Sequence, residues 1–230
     1  ALTVAHNFRA VEFLVRLGLH TGHAVNSLFG KSAMSALTGR IKRLIGSFPL
    51  WSGQLGAPPL LPAVQALAGR SALDECSVVY FPACISRLMG GSAENKKSIM
   101  DAFISVSSKA GINIIIPRDI KGSCCGQIFS SKGFSDAYRH TANDIVGRLW
   151  NSTLQGKLPV VTDVSSCAYT LHHIRHVLSD ANKERFDALR IMDSVDYLHD
   201  MVLPRARNIN KKENIVLHPV CSLEKMGTQQ

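Results

Sequence analysis

Six cysteines carry most of the chemistry open to this chain: Cys76, Cys84, Cys124, Cys125, Cys167 and Cys221. Two are adjacent, in KGSCCGQ at 121–127, with Gly122 just ahead and Gly126 directly behind. A reduced cysteine can pack as a small hydrophobe. A disulfide between neighbours closes a strained ring of poor geometry. Adjacent thiolates can instead point at one bulky centre, with glycines that let the backbone come close and adopt unusual φ values. The opening ALTVAHNFRA lacks a basic n-region and an apolar run, so no secretory leader is visible. A disulfide framework is then disfavoured, and metal binding or redox chemistry is the stronger reading for so many thiols.

The elements that must position these thiols alternate. SVVYF (77–81), INIIIP (112–117), PVVTD (159–163), LRIMD (189–193) and NIVLH (214–218) read as strands. Between them, helices are predicted over 92–111 with Ser92 as N-cap and Gly111 at its end, over 133–156, over 168–180, and over 194–204 up to Pro204. Apolar strands alternating with helices predict an α/β fold, a Rossmann-like parallel sheet covered by helices. Ligands bind such sheets at the carboxyl ends of the strands. Cys84 follows the first strand, Cys124 and Cys125 the second, Cys167 the third and Cys221 the last, so Cys84, Cys124, Cys125 and Cys167 are expected in one crevice. Helix N-termini beside Cys84 and Cys167 are expected to favour thiolate over thiol. Cys76 precedes a strand and reads as structural. No CxxC is present for a tight four-cysteine zinc site, so spacing and donor softness favour an iron–sulfur centre over a single zinc.

The rest of the chain sets bounds. Its 230 residues, 46% hydrophobic and 19% charged, suit one large or two small globular domains. No apolar run is long enough to cross a membrane as a helix. The net charge of +9 is concentrated in residues 1–70, where seven Lys/Arg face only Glu12; the remaining residues carry +3. Beyond GRIKR at 39–43 nothing supports nucleic-acid binding. Residues 5–46 read as a helical pair, with Phe8, Val11, Phe13, Leu14, Leu17 and Leu19 as an apolar face and Arg9, Glu12 and Arg16 away from it. That face is expected to pack on the body or a neighbouring domain, with docking on a membrane surface as the sharper alternative. Pro and Gly density marks a linker over 51–70. His172 and His176 have the i, i+4 spacing that metals favour, but no HExxH accompanies them, and solvent-facing or packing roles are expected, as for His173.

The stretches VVYFPACISRLMG (78–90) and IVLHPVCSLEKMG (215–227) align at an offset of 137, sharing Val79/Val216, Pro82/Pro219, Cys84/Cys221, Met89/Met226 and Gly90/Gly227. This internal repeat predicts a helical connector at 1–50, a linker at 51–70, a first α/β unit at 71–213, and at 214–230 the start of a second unit whose remainder lies beyond Gln230. The absence of an initiator Met also suggests a piece of a longer protein.

PAC at 82–84, SCCG at 123–126 and SSC at 165–167 resemble the cysteine-rich CCG repeat. That repeat occurs twice in heterodisulfide reductase B subunits and the iron–sulfur subunit of glycolate oxidase, and ends the large FAD-linked D-lactate dehydrogenases. FPACISRLMG, CCGQIFSSKGF, DVSSCAYTL, DSVDYLHDMVLP and LHPVCSLEKMG are most similar to the last group. The resemblance covers about 77–230, and more weakly 1–62. It implies an electron-transfer domain with a cluster, 4Fe-4S in type, on Cys84, Cys124, Cys125 and Cys167, and Cys221 as the first ligand of a second cluster. Gly122, Gly126 and His218 would support the thiols from behind. It further implies FAD and ferredoxin-like domains elsewhere in a longer chain, oxidation of a D-2-hydroxy acid there, and a quinone or cytochrome as electron acceptor. A cytoplasmic location, peripheral on the inner face of the membrane, goes with it. Cys167 is followed by Ala168, Tyr169 and Thr170 where the repeat often closes with CxxC, so a five-thiolate cluster is not expected. A heterodisulfide reductase-like thiol/disulfide module and a zinc-stabilised interaction domain are the alternatives.

Overall fold

A computed structural model of the chain describes residues 1–53, 56–61, 76–90, 97–206 and 220–227. The expected strand 214–218, with His218, and the expected cap Ser92 lie outside these residues.

The centre is a parallel sheet of four strands, β1 (Ser77–Phe81), β2 (Asn113–Ile115), β3 (Val160–Thr162) and β4 (Ile191–Asp193). Their spatial order is β2-β1-β3-β4, with Val79 opposite both Ile115 and Val160, and Thr162 opposite Asp193. Every residue of β1, β3 and β4 is buried, as strands covered on both faces require. The chain leaves β1 for β2 on one side and returns to β3 on the other. The order therefore reverses at β1, and the crevice at that reversal is where open α/β sheets hold ligands.

Helix α5 (Ile99–Lys109) starts at Ser98, whose hydroxyl and Asp101 form a reciprocal capping box, so the cap lies six residues beyond the expected Ser92. Tyr80, Phe103 and Tyr197 stack in sequence at 4.3 and 5.0 Å, which fixes α5 and α10 (Ser194–Tyr197) against β1. Between β2 and β3 run the short α6 (Gln127–Ser130) and the long α7 (Ser135–Ser152). The expected helix 168–180 is instead two pieces. Helix α8 (Ser165–His172) ends at His173, and a 3-10 turn follows over Ile174–Val177. A polar helix, α9 (Asp180–Asp187), stands where no element was anticipated, holding Phe186 against the core. The expected helix 194–204 continues past α10 as a π turn (Leu198–Val202) and a 3-10 turn (Leu203–Arg205) that contains Pro204.

The N-terminal segment folds as α1 (Leu2–His6), α2 (Phe8–Phe29) and α3 (Ala33–Leu44). Helix α1 packs on α7, placing Ala5 in the core and the rings of His6 and His140 edge to face at 4.1 Å. Trp51 closes the α2–α3 hairpin over Gly22, its backbone N–H donating to Thr38 Oγ1 at 3.0 Å. Of the expected apolar face of α2, Phe8 packs against the core but Phe13, Leu14 and Leu17 do not. Glu12 is 3% exposed, whereas Phe13 and Leu14 are 64% and 62% exposed. Glu12 faces inward because it has partners there, the buried Arg87 guanidinium and the Gly122 N–H beside the cysteine pair. Helices α4 (Cys84–Leu88) and α11 (Cys221–Met226) complete the described elements.

Candidate functional site

Each thiol of the first repeat is delivered by the segment that follows its strand. Cys84 is the first residue of α4, three residues after Phe81 ends β1, with Pro82–Ala83 turning the chain between them. Cys124 and Cys125 lie in the loop between β2 and α6. Cys167 sits in the first turn of α8, after β3. The structure brings these four into one row. Cys84 lies beside Cys124, and Cys124 beside Cys125. Cys125 Sγ in turn donates to Cys167 Sγ at 3.1 Å. Cys124, Cys125 and Cys167 are buried and Cys84 is half-buried.

The glycines beside the pair have separate duties. Gly122 has φ +82°, and a Cβ there would stand 2.6 Å from Arg9 Cβ on α2. Gly126 has φ +86° and precedes α6; its N–H donates to Cys124 Sγ at 3.4 Å, and a Cβ would press on the Tyr138 ring. Both positions require the freedom expected of them.

At Cys84 the expectation that a helix N-terminus favours thiolate is not met. A contact with the Cys124 thiol, then burial, pushes Cys84 well above the usual thiol range, against a smaller lowering by Arg87. Cys124 is pushed up to about 12, first by the contact with Cys125 and then by burial. At Cys125 the contact with Cys124 lowers the value, but the contact with Cys167 and burial outweigh it. Helix α4 has only five residues, too few for its dipole to offset crowded thiols away from water.

Two charged groups absent from the sequence reading hold the row in place. Asp163, just past β3, accepts from Ala83 N–H at 2.8 Å and from the Tyr80 hydroxyl at 2.7 Å, fixing the turn into Cys84. Burial raises its pKa, partly offset by these bonds and one from Ser86. Arg87 is fully buried. It donates to both carboxylate oxygens of Glu12 at 3.1 and 3.0 Å, and to the carbonyls of Pro82 and Ser123, each at 2.7 Å. Glu12 also accepts from Gly122 N–H at 2.8 Å. The only sequence signal for this pair was a lone acid in a basic segment.

The remaining sequence candidates lie apart. Cys221 opens α11, which packs on α8, and is exposed; it shares no hydrogen bond with the four. Cys76 lies at the amino end of β1, 3.7 Å from Arg205 Nη2. His172 and His176 are on different elements. His173 and His176 bond through Nδ1 to the carbonyls of Tyr169 and His173, while His172 lies near Asp193 and Asp196.

The donor set suits a thiophilic metal centre in kind: four thiols with no carboxylate or imidazole in the row. In spacing it is drawn together. Among the described residues no three His, Cys, Asp or Glu side chains enclose a point where one metal ion could sit. The 3.1 Å between Cys125 and Cys167 is shorter than the ~3.8 Å separating thiolates on a tetrahedral zinc with Zn–S bonds near 2.3 Å. Any metal group taken here would have to open that pair. Comparison of the chain with protein-family models, with curated proteins and with solved structures finds no match.

Proposed function

We propose that this chain is the iron–sulfur electron-relay part of a flavin-dependent D-2-hydroxyacid dehydrogenase. Cys84, Cys124, Cys125 and Cys167 would hold the cluster, of 4Fe-4S type. The observation that carries this reading is the gathering of four thiols from three separate loops beyond the carboxyl ends of β1, β2 and β3, at the crevice where the strand order reverses, with Cys125 and Cys167 in direct contact. When bound, the cluster would accept electrons from FAD in another part of a longer protein and release them towards a quinone or cytochrome. The chain's own residues supply the thiols, exclude water from them and fix their loops through Asp163 and Arg87. Cys221, exposed at the start of the second repeat, would serve a second cluster.

The N-terminal helices favour a peripheral place on the inner membrane face. No helix among the described residues is long and apolar enough to cross a membrane. Phe13, Leu14, Leu28, Phe29 and Leu44 are exposed, as are Lys31, Arg40, Lys42 and Arg43, while the one acid of residues 1–53 is buried. Apolar side chains among unbalanced cations suit an anionic lipid surface.

The close Cys125–Cys167 pair favours a second reading, exchange with a disulfide substrate that is reduced to two thiols as the pair is oxidised. Cys125, held protonated by its neighbours and its burial, would attack a disulfide slowly, which weighs against it.

The test is anaerobic preparation of the whole protein, with measurement of iron, acid-labile sulfide and visible absorbance. Iron and sulfide together, lost on Cys124→Ser and on Cys125→Ser, are expected. Unchanged iron in either variant, or zinc without iron, would overturn the assignment.

A further inference from the structure

The N-terminal helix α2 was expected to be a connector, yet its inward face is built into the thiol crevice. Arg9, Glu12 and Arg16 are spaced at i, i+3 and i+7, along one side of the helix. Arg9 lies against the backbone at Gly122. Glu12 takes Gly122 N–H and both arms of the Arg87 fork. Arg16 donates to the Arg87 carbonyl at 2.6 Å and to the Pro59 carbonyl at 2.9 Å, closing the same side.

Arg87 is the piece that reaches the thiols. Its remaining donors take the carbonyls of Pro82, two residues before Cys84, and of Ser123, immediately before Cys124. One guanidinium therefore spans the two loops that deliver the first two thiols of the row. The fork is rigid and planar, so four bonds fix the distance between those loops as a flexible ammonium could not. It makes no hydrogen bond to Cys125 or Cys167, or to the residues next to them on α6 and α8.

We propose that Glu12 and Arg87 form a clamp that sets the spacing of Cys84 and Cys124. Arg87 acts as the positioning residue, and Glu12 keeps its charge satisfied and its fork oriented from outside the sheet. A buried guanidinium without its carboxylate would be drawn towards water, and the two loops would lose their common tie. This role is independent of what the thiols bind. It is absent from the second repeat, where Glu224 stands at the position equivalent to Arg87.

The test uses the full chain, reduced and metal-free, treated briefly with dibromobimane, which joins two thiols only when they are close together. Bridged peptides are then identified by mass spectrometry. In the unaltered protein, Cys84–Cys124 and Cys125–Cys167 bridges are both expected. In Glu12→Gln and in Arg87→Lys, the Cys84–Cys124 bridge is expected to fall about tenfold, the coupling typical of side chains sharing one network, with the Cys125–Cys167 bridge retained. The selective loss separates positioning from general unfolding, in which both bridges fall together. The double variant Glu12→Gln/Arg87→Met removes both charges and is read in the same way, in case a single variant does not fold. Retention of both bridges, or equal loss of both, in every variant with native circular dichroism would overturn the clamp. Iron content is measured separately, so failure of the cluster assignment leaves this result standing.

Discussion

At Gly122 the chain meets two constraints at once. Its φ of +82° disfavours any side chain, and Arg9 of α2 occupies the space a Cβ would need. Gly133, with φ +73° and nothing within 4 Å, carries only the first. Gly133→Ala should therefore cost about 1–2 kcal/mol for the left-handed conformation. Gly122→Ala should cost clearly more, because helix and loop must also separate. Urea midpoints of the two variants decide this, and equal costs would mean that the Arg9 contact yields freely. Solvent access makes a further prediction among the cysteines. Cys221 is exposed, while Cys124 and Cys125 are each 3% exposed and hold their protons tightly. Timed iodoacetamide labelling near neutral pH should modify Cys221 first and the adjacent pair last; labelling of the pair alongside Cys221 would contradict the burial described. The thiol positions were legible from their place after each strand. The partners of the thiols were not, because Glu12 and Arg87 stand 75 residues apart and a charge on an amphipathic helix reads as a solvated one.

Among the elements, the strands were the easiest to read, since a sheet buried on both faces demands unbroken apolar runs such as SVVYF. Helix limits were harder. The apolar spacing of AYTLHHIRHVL runs on past His173, but there the backbone turns, and the two carbonyls taken by His173 and His176 stabilise the break. Helix α9 was missed because its sequence, DANKERFD, carries almost no apolar period. The junction between β3 and α4 allows a test by pH. Burial raises the Asp163 pKa above its ordinary value of 3.8. The folded state then binds more protons than the unfolded state between 3.8 and the raised value. Stability from this group consequently falls as pH rises through that window. Asp163→Asn cannot titrate, so the gap between the two proteins' unfolding free energies should change across the window and stay flat above it. A constant gap from acid to neutral pH would mean that Asp163 titrates alike in both states.

For the whole molecule, composition draws a boundary over 51–70 that packing crosses. Ala5 and Phe8 lie in or against the same core as β1, Arg16 holds the Pro59 carbonyl, and Gly56 bridges to Gly90 across the start of the linker. The strongest tie is the Glu12–Arg87 pair, with side chains 3% and 0% exposed. A buried pair adds little net stability relative to a well-packed apolar replacement, but removing one partner costs about 3–5 kcal/mol, because the other charge remains buried and unpaired. That asymmetry makes the helices and the sheet depend on each other. If α2 leaves, Arg87 loses its carboxylate, Gly122 N–H its acceptor and the thiol loops their tie. The chain should therefore unfold in one cooperative transition, with the fluorescence of Trp51 on the helical hairpin and of Trp150 on α7 changing together. Single-tryptophan variants, Trp51→Phe and Trp150→Phe, separate the two signals. If the hairpin signal is lost at a clearly lower urea concentration than the α7 signal, the helices are a detachable layer, and the clamp contributes less than its burial implies.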